Sequence, residues 1–192
     1  YKHLRELYAL DPAVPIFHAL RTLWDRDPDG QPLLALCCAC ARDSLLRASA
    51  PLMLGLPQGA AAGRTMVEEF IAATYPDRFS ATTTASVARN LLATWTKSGH
   101  LAGKTDKVRS RATATPGSLA YALYLGTLLG ARGQLLFDNP YATLLDCPIG
   151  ERYDLADMAA RRSWLVMRRI GDVVEVSFPA LITEVNQGWF HE

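Results

Sequence analysis

The chain has 192 residues, 49% of them hydrophobic and 20% charged, with 20 Lys+Arg against 19 Asp+Glu. That balance excludes a disordered, collagen-like or highly charged tail protein, and a chain this long can bury roughly 70% of its unfolded surface without covalent staples. The formal net charge of +1 hides an uneven distribution: residues 86–120 hold Arg89, Lys97, Lys104, Lys107, Arg109 and Arg111 against the single acid Asp106, a local charge of +5.

The first third reads as helical. Ile16, Phe17, Leu20, Leu23 and Trp24 recur at the spacing of a core-facing helix, with Pro15 suited to its first turn. Asp-Pro-Asp-Gly at 27–30 signals a turn, and the stretch from Leu33 to Ala48 predicts one central helix that is apolar on most sides. Pro51 to Gly63, rich in Gly, Pro and Ala, is the best boundary the composition offers. It suggests an N-terminal helical lobe at 1–63 and a second lobe at 64–192, closely packed as one body.

From Arg64 the apolar spacing of Met66, Val67, Phe70, Ile71 and Thr74 predicts a short helix that ends at Tyr75-Pro76. After the turn Asp77-Arg78-Phe79-Ser80, a second helix is expected from about Ala81 to Ser98, with Val87, Leu91, Leu92 and Trp95 inward and Gly99 closing it. Two helices joined by a tight polar turn form a helix-turn-helix. The segment His100 to Arg109 then reads as two short extended pieces around a basic tip, the wing of a winged helix.

Farther on, Ser118 is placed to cap a helix bearing Leu119, Ala122, Leu123 and Gly126 on one face. A last helix is expected from the N-cap Asp154, with Tyr153 stapled onto Met158, running about seventeen residues to Gly171. Val174, Val176 and Phe178 alternate with polar residues as a short strand. The expected fold class is therefore all-α, with one small β-hairpin near 100–111 and a winged-helix or helix-turn-helix-like region inside a compact helical protein.

The chemistry concentrates on the helix at 81–98 and the basic segment after it. Opposite its apolar stripe the helix shows Thr83, Ser86, Arg89, Asn90 and Lys97, groups of the kinds that meet phosphates and base edges. Lys104, Lys107, Arg109 and Arg111 add charge at a Gly-containing tip able to follow a phosphate backbone. The expected partner is double-stranded DNA, with Arg89 and Asn90 for bases and Lys97, Lys104, Lys107, Arg109 and Arg111 for phosphates. The alternative for the same residues is a solvated helix face and basic loop on a protein-protein interaction subunit that makes no nucleic-acid contact.

Other sites are poorly supported. Cys37 and Cys40 form a CxxC, but with Cys38 they sit in an apolar helical run where thiols behave as small hydrophobes, and Cys147 is remote. No metal and no cofactor is expected, and the cysteine usage points to a reducing cytoplasm. His3, His18, His100 and His191 are scattered, without a second ligand at helical spacing. Phosphate loops, nucleophile elbows, paired carboxylates and HExxH are absent from the sequence, so no enzyme is expected. The longest apolar run, Pro32 to Ala41, is too short to span a membrane, and Tyr-Lys-His-Leu-Arg at the start shows no signal-peptide pattern.

The layout resembles the small helical BrxA-type proteins of bacteriophage-exclusion (BREX) defence systems. The resemblance rests on Tyr1-Lys-His-Leu-Arg-Glu-Leu and Pro-Ile-Phe-His-Ala-Leu-Arg at 15–21, then Phe79-Ser-Ala-Thr-Thr-Thr and Ala88-Arg-Asn-Leu-Leu. The basic segment 104–111 and Thr115-Pro-Gly-Ser-Leu-Ala-Tyr-Ala-Leu follow, so the resemblance covers most of the chain. It implies a compact helical protein with a winged-helix-like region that binds DNA beside other defence-system proteins and has no catalytic activity of its own.

Overall fold

The computed structural model describes Asp11, residues 14–171 and residues 173–182. The resembling stretch at Tyr1–Leu7, His3 and His191 lie outside the described residues. The chain is mainly helical with two small antiparallel hairpins, in agreement with the expected class. Nine α-helices are present among the described residues. Packing divides the chain into two compact units, one formed by residues up to Asp43 together with those from Thr113 on, the other by Ser44–Ala112. The Pro51–Gly63 region thus lies inside the second unit, because its backbone pairs there with the basic hairpin.

In the first unit, α1 (Pro15–Trp24) buries Ala19, Leu20 and Leu23, and Pro15 occupies its first turn as expected. A 3₁₀ turn at Pro28–Gly30 leads into α2 (Gln31–Arg42), whose Leu33, Leu34, Leu36 and Cys37 to Cys40 are all buried. The expected helix to Ala48 breaks at Asp43, whose backbone is extended, and chain and unit change there together.

At the centre of this unit is α7 (Pro116–Leu128), with every residue from Pro116 to Gly126 buried. Its start is not a Ser118 cap. Thr115 is the N-cap and Ser118 the third helical residue of a reciprocal capping box, Ser118 N donating to Thr115 Oγ1 (3.2 Å) and Thr115 N to Ser118 Oγ (2.9 Å). A helix buried on all sides must satisfy its first N–H groups without water. The buried Asp27 carboxylate does so, Oδ2 accepting from Thr115 Oγ1 (2.6 Å) and Gly117 N (2.8 Å). The approach requires glycine, since a Cβ on Gly117 would lie 2.3 Å from that oxygen.

The C-terminal part departs most from expectation. Pro148 is the N-cap of α9 (Ile149–Arg161), which places Asp154 and Asp157 in mid-helix, and Tyr153 stacks on Phe137 (4.2 Å between centroids) rather than on Met158. The helix ends ten residues before Gly171. Ser163 takes the left-handed conformation (φ +59°) that glycine usually supplies, Ser163 N donating to the Ala160 carbonyl and Trp164 N to that of Ala159. The rest of the expected helix is a strand, β3 (Val166–Ile170), paired antiparallel with β4 (Val173–Ser177) as Val166↔Ser177 through Ile170↔Val173. The expected strand near Val174 is thus half of a second hairpin.

The second unit runs α3 (Ser44–Ala48), α4 (Ala50–Leu54), an antiparallel bridge from Ala61 to Val108, α5 (Arg64–Thr74), α6 (Ala81–Lys97), β1 (Leu101–Ala102) and β2 (Val108–Arg109). From α4 on, helix, bridge, helix, helix, strand, wing and strand is the order of a winged helix. Ser80 caps α6 by accepting from Thr83 N (3.2 Å). At its other end Gly99 (φ +87°) donates to the Thr96 carbonyl and His100 N to that of Trp95, turning the chain directly into β1. Trp95, fully buried, donates from Nε1 to Ser49 Oγ (2.9 Å) and meets the buried His100 ring edge to face at 5.0 Å.

Substituting Asp27→Ala strips the buried helix start of its acceptor and should lower stability by about 2–3 kcal/mol, read as a shifted urea midpoint with unchanged slope. A loss under 0.5 kcal/mol contradicts this account of α7.

Candidate nucleic-acid interface

The second unit presents α6 and the hairpin tip Gly103–Lys107 as its basic surface. Ala88, Leu91, Leu92 and Trp95 face the core of α6; Val87, expected among them, is half-buried. On the opposite side Thr83, Asn90 and Lys97 are exposed and Ser86 half-buried, so these four form one stripe along the helix. Thr83 also belongs to the cap, its Oγ1 lying 2.9 Å from Ser80 Oγ. Arg89, likewise exposed, stands on the flank toward the wing.

Between α6 and the wing is a cleft of about 640 Å³, walled by Ala61 to Arg64, Arg89, Leu92 and Thr105 to Val108. It gathers three cations, Arg64, Arg89 and Lys107, around one carboxylate, Asp106. Lys107 is held in place: Nζ donates to Thr96 Oγ1 (2.9 Å) and to the Gly103 carbonyl (3.4 Å), tying the wing tip to α6. Arg64 was not anticipated. It is the first residue of α5, paired with Glu68 at 3.0 Å, and the Ala61–Val108 bridge brings it beside the wing some forty residues away in sequence. No local pattern signals that approach.

Arg109 requires correction. Proposed from the sequence as a phosphate contact, it is only 3% exposed, and its guanidinium donates to the carbonyls of His100 (3.3 Å) and Ser110. In a two-residue strand the pleat turns one side chain in and one out, and here Val108 faces solvent while Arg109 lies beneath the hairpin. Its charge fastens β2 to the backbone leaving α6. Lys104 and Arg111 are exposed, outside the cleft walls. The structure therefore brings Arg89 and Lys107 together with Arg64, keeps Thr83, Ser86, Asn90 and Lys97 on the open stripe, and removes Arg109.

The cysteines lie elsewhere. Cys37, Cys38, Cys40 and Cys147 are all buried thiols, and none is in a disulfide. Burial pushes the Cys37 and Tyr121 groups well above their ordinary ranges and the Cys38 thiol up to about 11. No group of three or more His, Cys, Asp or Glu placed to hold a metal occurs among the described residues, and no described helix is long and apolar enough to cross a membrane.

In fold and surface this is a helical protein carrying a winged-helix unit with a basic cleft. Compared with known proteins, the chain matches no protein-family model, no curated protein and no solved structure at a significant level.

The raised thiol and phenol values have a stability consequence with a definite sign. The unfolded chain loses these protons first, so stability is intact below about pH 9 and falls as pH rises toward 11. The thermal midpoint should be flat from pH 7 to 8 and drop above 9. Ellman's reagent should leave all four thiols unmodified in the native protein and react with all four once it is denatured.

Proposed function

We propose that this is a non-catalytic DNA-binding accessory protein of a bacterial phage-defence system of the BREX type, working in the cytoplasm beside other defence proteins. The observation that carries the DNA reading is the cleft in which Arg64, Arg89 and Lys107 converge between an exposed helix face and the wing. A helix of 17 residues suits a major groove, and a wing held at its end by Lys107 suits the adjoining phosphate backbone. The link to phage defence rests on the sequence resemblance alone.

Contacts divide by position. Asn90, in the middle of the open stripe, is the group for base edges, pairing with adenine through its amide. Arg89, turned toward the cleft, joins Lys97, Lys104, Lys107 and Arg111 as a backbone contact and replaces Arg109 in that set. Thr83 and Ser86 supply short hydrogen-bonding contacts along the same stripe.

Titration of a labelled duplex at several salt concentrations tests the assignment. Five phosphate contacts, with Arg64 left paired to Glu68, give a slope of log affinity against log salt of about −4.5, a loss on the order of 500-fold between ~50 and ~200 mM. Changing Lys104 and Lys107 together to Ala should flatten the slope by about 2 on every duplex, whereas Asn90→Ala keeps the slope and erases only sequence preference, about 1–3 kcal/mol. Arg109→Met should lower the thermal midpoint and leave the slope alone. Salt-independent binding, or a Lys104/Lys107 variant with the wild-type slope, returns the basic segment to a solvated loop.

A further inference from the structure

The turn that joins α5 to α6 holds a guanidinium in place. Tyr75 closes α5, Asp77 takes the left-handed conformation (φ +57°) as the chain turns, and Ser80 caps α6. Across this turn the half-buried rings of Tyr75 and Phe79 meet edge to face at 6.3 Å. The Arg78 guanidinium lies over both, 5.0 Å from the Tyr75 centroid and 5.4 Å from that of Phe79, while Arg78 itself is exposed.

A cation held by ring faces keeps its N–H donors for another partner. Among the described residues no carboxylate, carbonyl or hydroxyl takes them: Asp77 forms no ion pair with Arg78, and the first turn of α6 contains no acid. Other arginines of this unit are differently placed, Arg64 being paired with Glu68 and Arg109 bonded beneath the hairpin. The rings are covered by the guanidinium, so they serve as a platform for the arginine and not for a stacked base. An exposed arginine ordered in advance binds an anion without the entropy cost of immobilising its long side chain.

Its place in the fold selects the anion. Arg78 stands two residues before the cap of α6, at the end remote from Lys97 and from the wing, whose Lys107 is bonded to Thr96. The helix has 17 residues and is about 25 Å long, twice the ~12 Å width of a major groove. A helix that crosses the groove therefore overreaches it, and its two ends meet the phosphate chains on either side. Lys97 and the wing serve one chain. We propose that Arg78 is the contact to the other, a phosphate-binding pole at the start of α6, with Tyr75 and Phe79 as the residues that position its guanidinium. The inference rests on the DNA reading of α6; it adds a sixth backbone contact and steepens the expected salt slope from about −4.5 to about −5.4.

Titration of a labelled mixed-sequence duplex with the whole protein tests it. Arg78→Gln should flatten the slope by about 0.9, so that the ratio of wild-type to variant affinity grows about 3.5-fold from ~200 to ~50 mM salt. A merely structural role for the ring contacts gives a deficit that is the same at every salt. Arg78→Lys keeps the charge and should keep the slope, with lower affinity throughout because an ammonium lacks the planar fork. Tyr75→Leu should weaken binding several-fold in the wild type and have no further effect on Arg78→Gln, since it acts through Arg78. The proposal is overturned if Arg78→Gln leaves the slope unchanged while the Lys104/Lys107 variant still flattens it, a result that spares the DNA reading. It is also overturned if Arg78→Lys flattens the slope as much as Arg78→Gln. Wild-type duplex binding that is independent of salt removes the DNA reading and this contact with it.

Discussion

The first unit depends on the carboxylate of Asp27. Helix α7 has no solvent-facing side from Pro116 to Gly126, so the N–H groups of its first turn have no water to turn to. A single oxygen of Asp27 serves both the Thr115 hydroxyl and the Gly117 amide, while Thr115 and Ser118 satisfy each other. An acceptor is favourable at this place because it lies at the positive end of the helix dipole and takes two hydrogen bonds there. The constraint propagates outward: Gly117 and Gly30 must lack side chains for Asp27 to fit, and α1, α2, α8 (Pro140–Thr143) and α9 all pack around the helix it anchors.

In the second unit the equivalent role falls to the end of α6. Trp95 is held by Ser49, the Ser98 hydroxyl donates to the Trp95 carbonyl (3.0 Å) and lies 2.9 Å from His100 Nδ1, and the Arg109 guanidinium reaches the His100 carbonyl. This buried polar network fixes where the chain leaves the helix and therefore where the wing begins. Lys107 then fixes the tip against Thr96. The backbone of β2 is positioned by hydrogen bonds on both edges, to β1 and to the segment at 59–62.

The two units expose different chemistry. The winged-helix unit shows cations over a polar helix face, suited to a polyanion whose charge is uniform along its length. The hairpin of the other unit shows branched aliphatic residues on its outer face, with Arg168 opposite Glu175.

Local pattern was sufficient for much of this protein. The start of α1 at Pro15, the four-residue turn before α6, the span of α6 with Gly99 beyond it, and the wing all follow from signals within a few residues of one another, whereas the stripe expected on α1 holds only at Leu20 and Leu23, with Ile16 and Phe17 half-buried and Trp24 exposed. The exposed helix face followed as well, because the core side of an amphipathic helix fixes its opposite. Tertiary structure decided the rest. Ser163 ends α9 in a conformation its sequence does not announce, and β3 exists because Val166–Ile170 finds a partner strand across Gly171, not because its own spacing forbids a helix. The burial of Arg109 and the arrival of Arg64 beside the wing were both set by pairing between Ala61 and Val108. Which way a side chain points in a two-residue strand, and which distant segment lies beside it, are properties of the assembled sheet, and neither is encoded in the residues nearest to it.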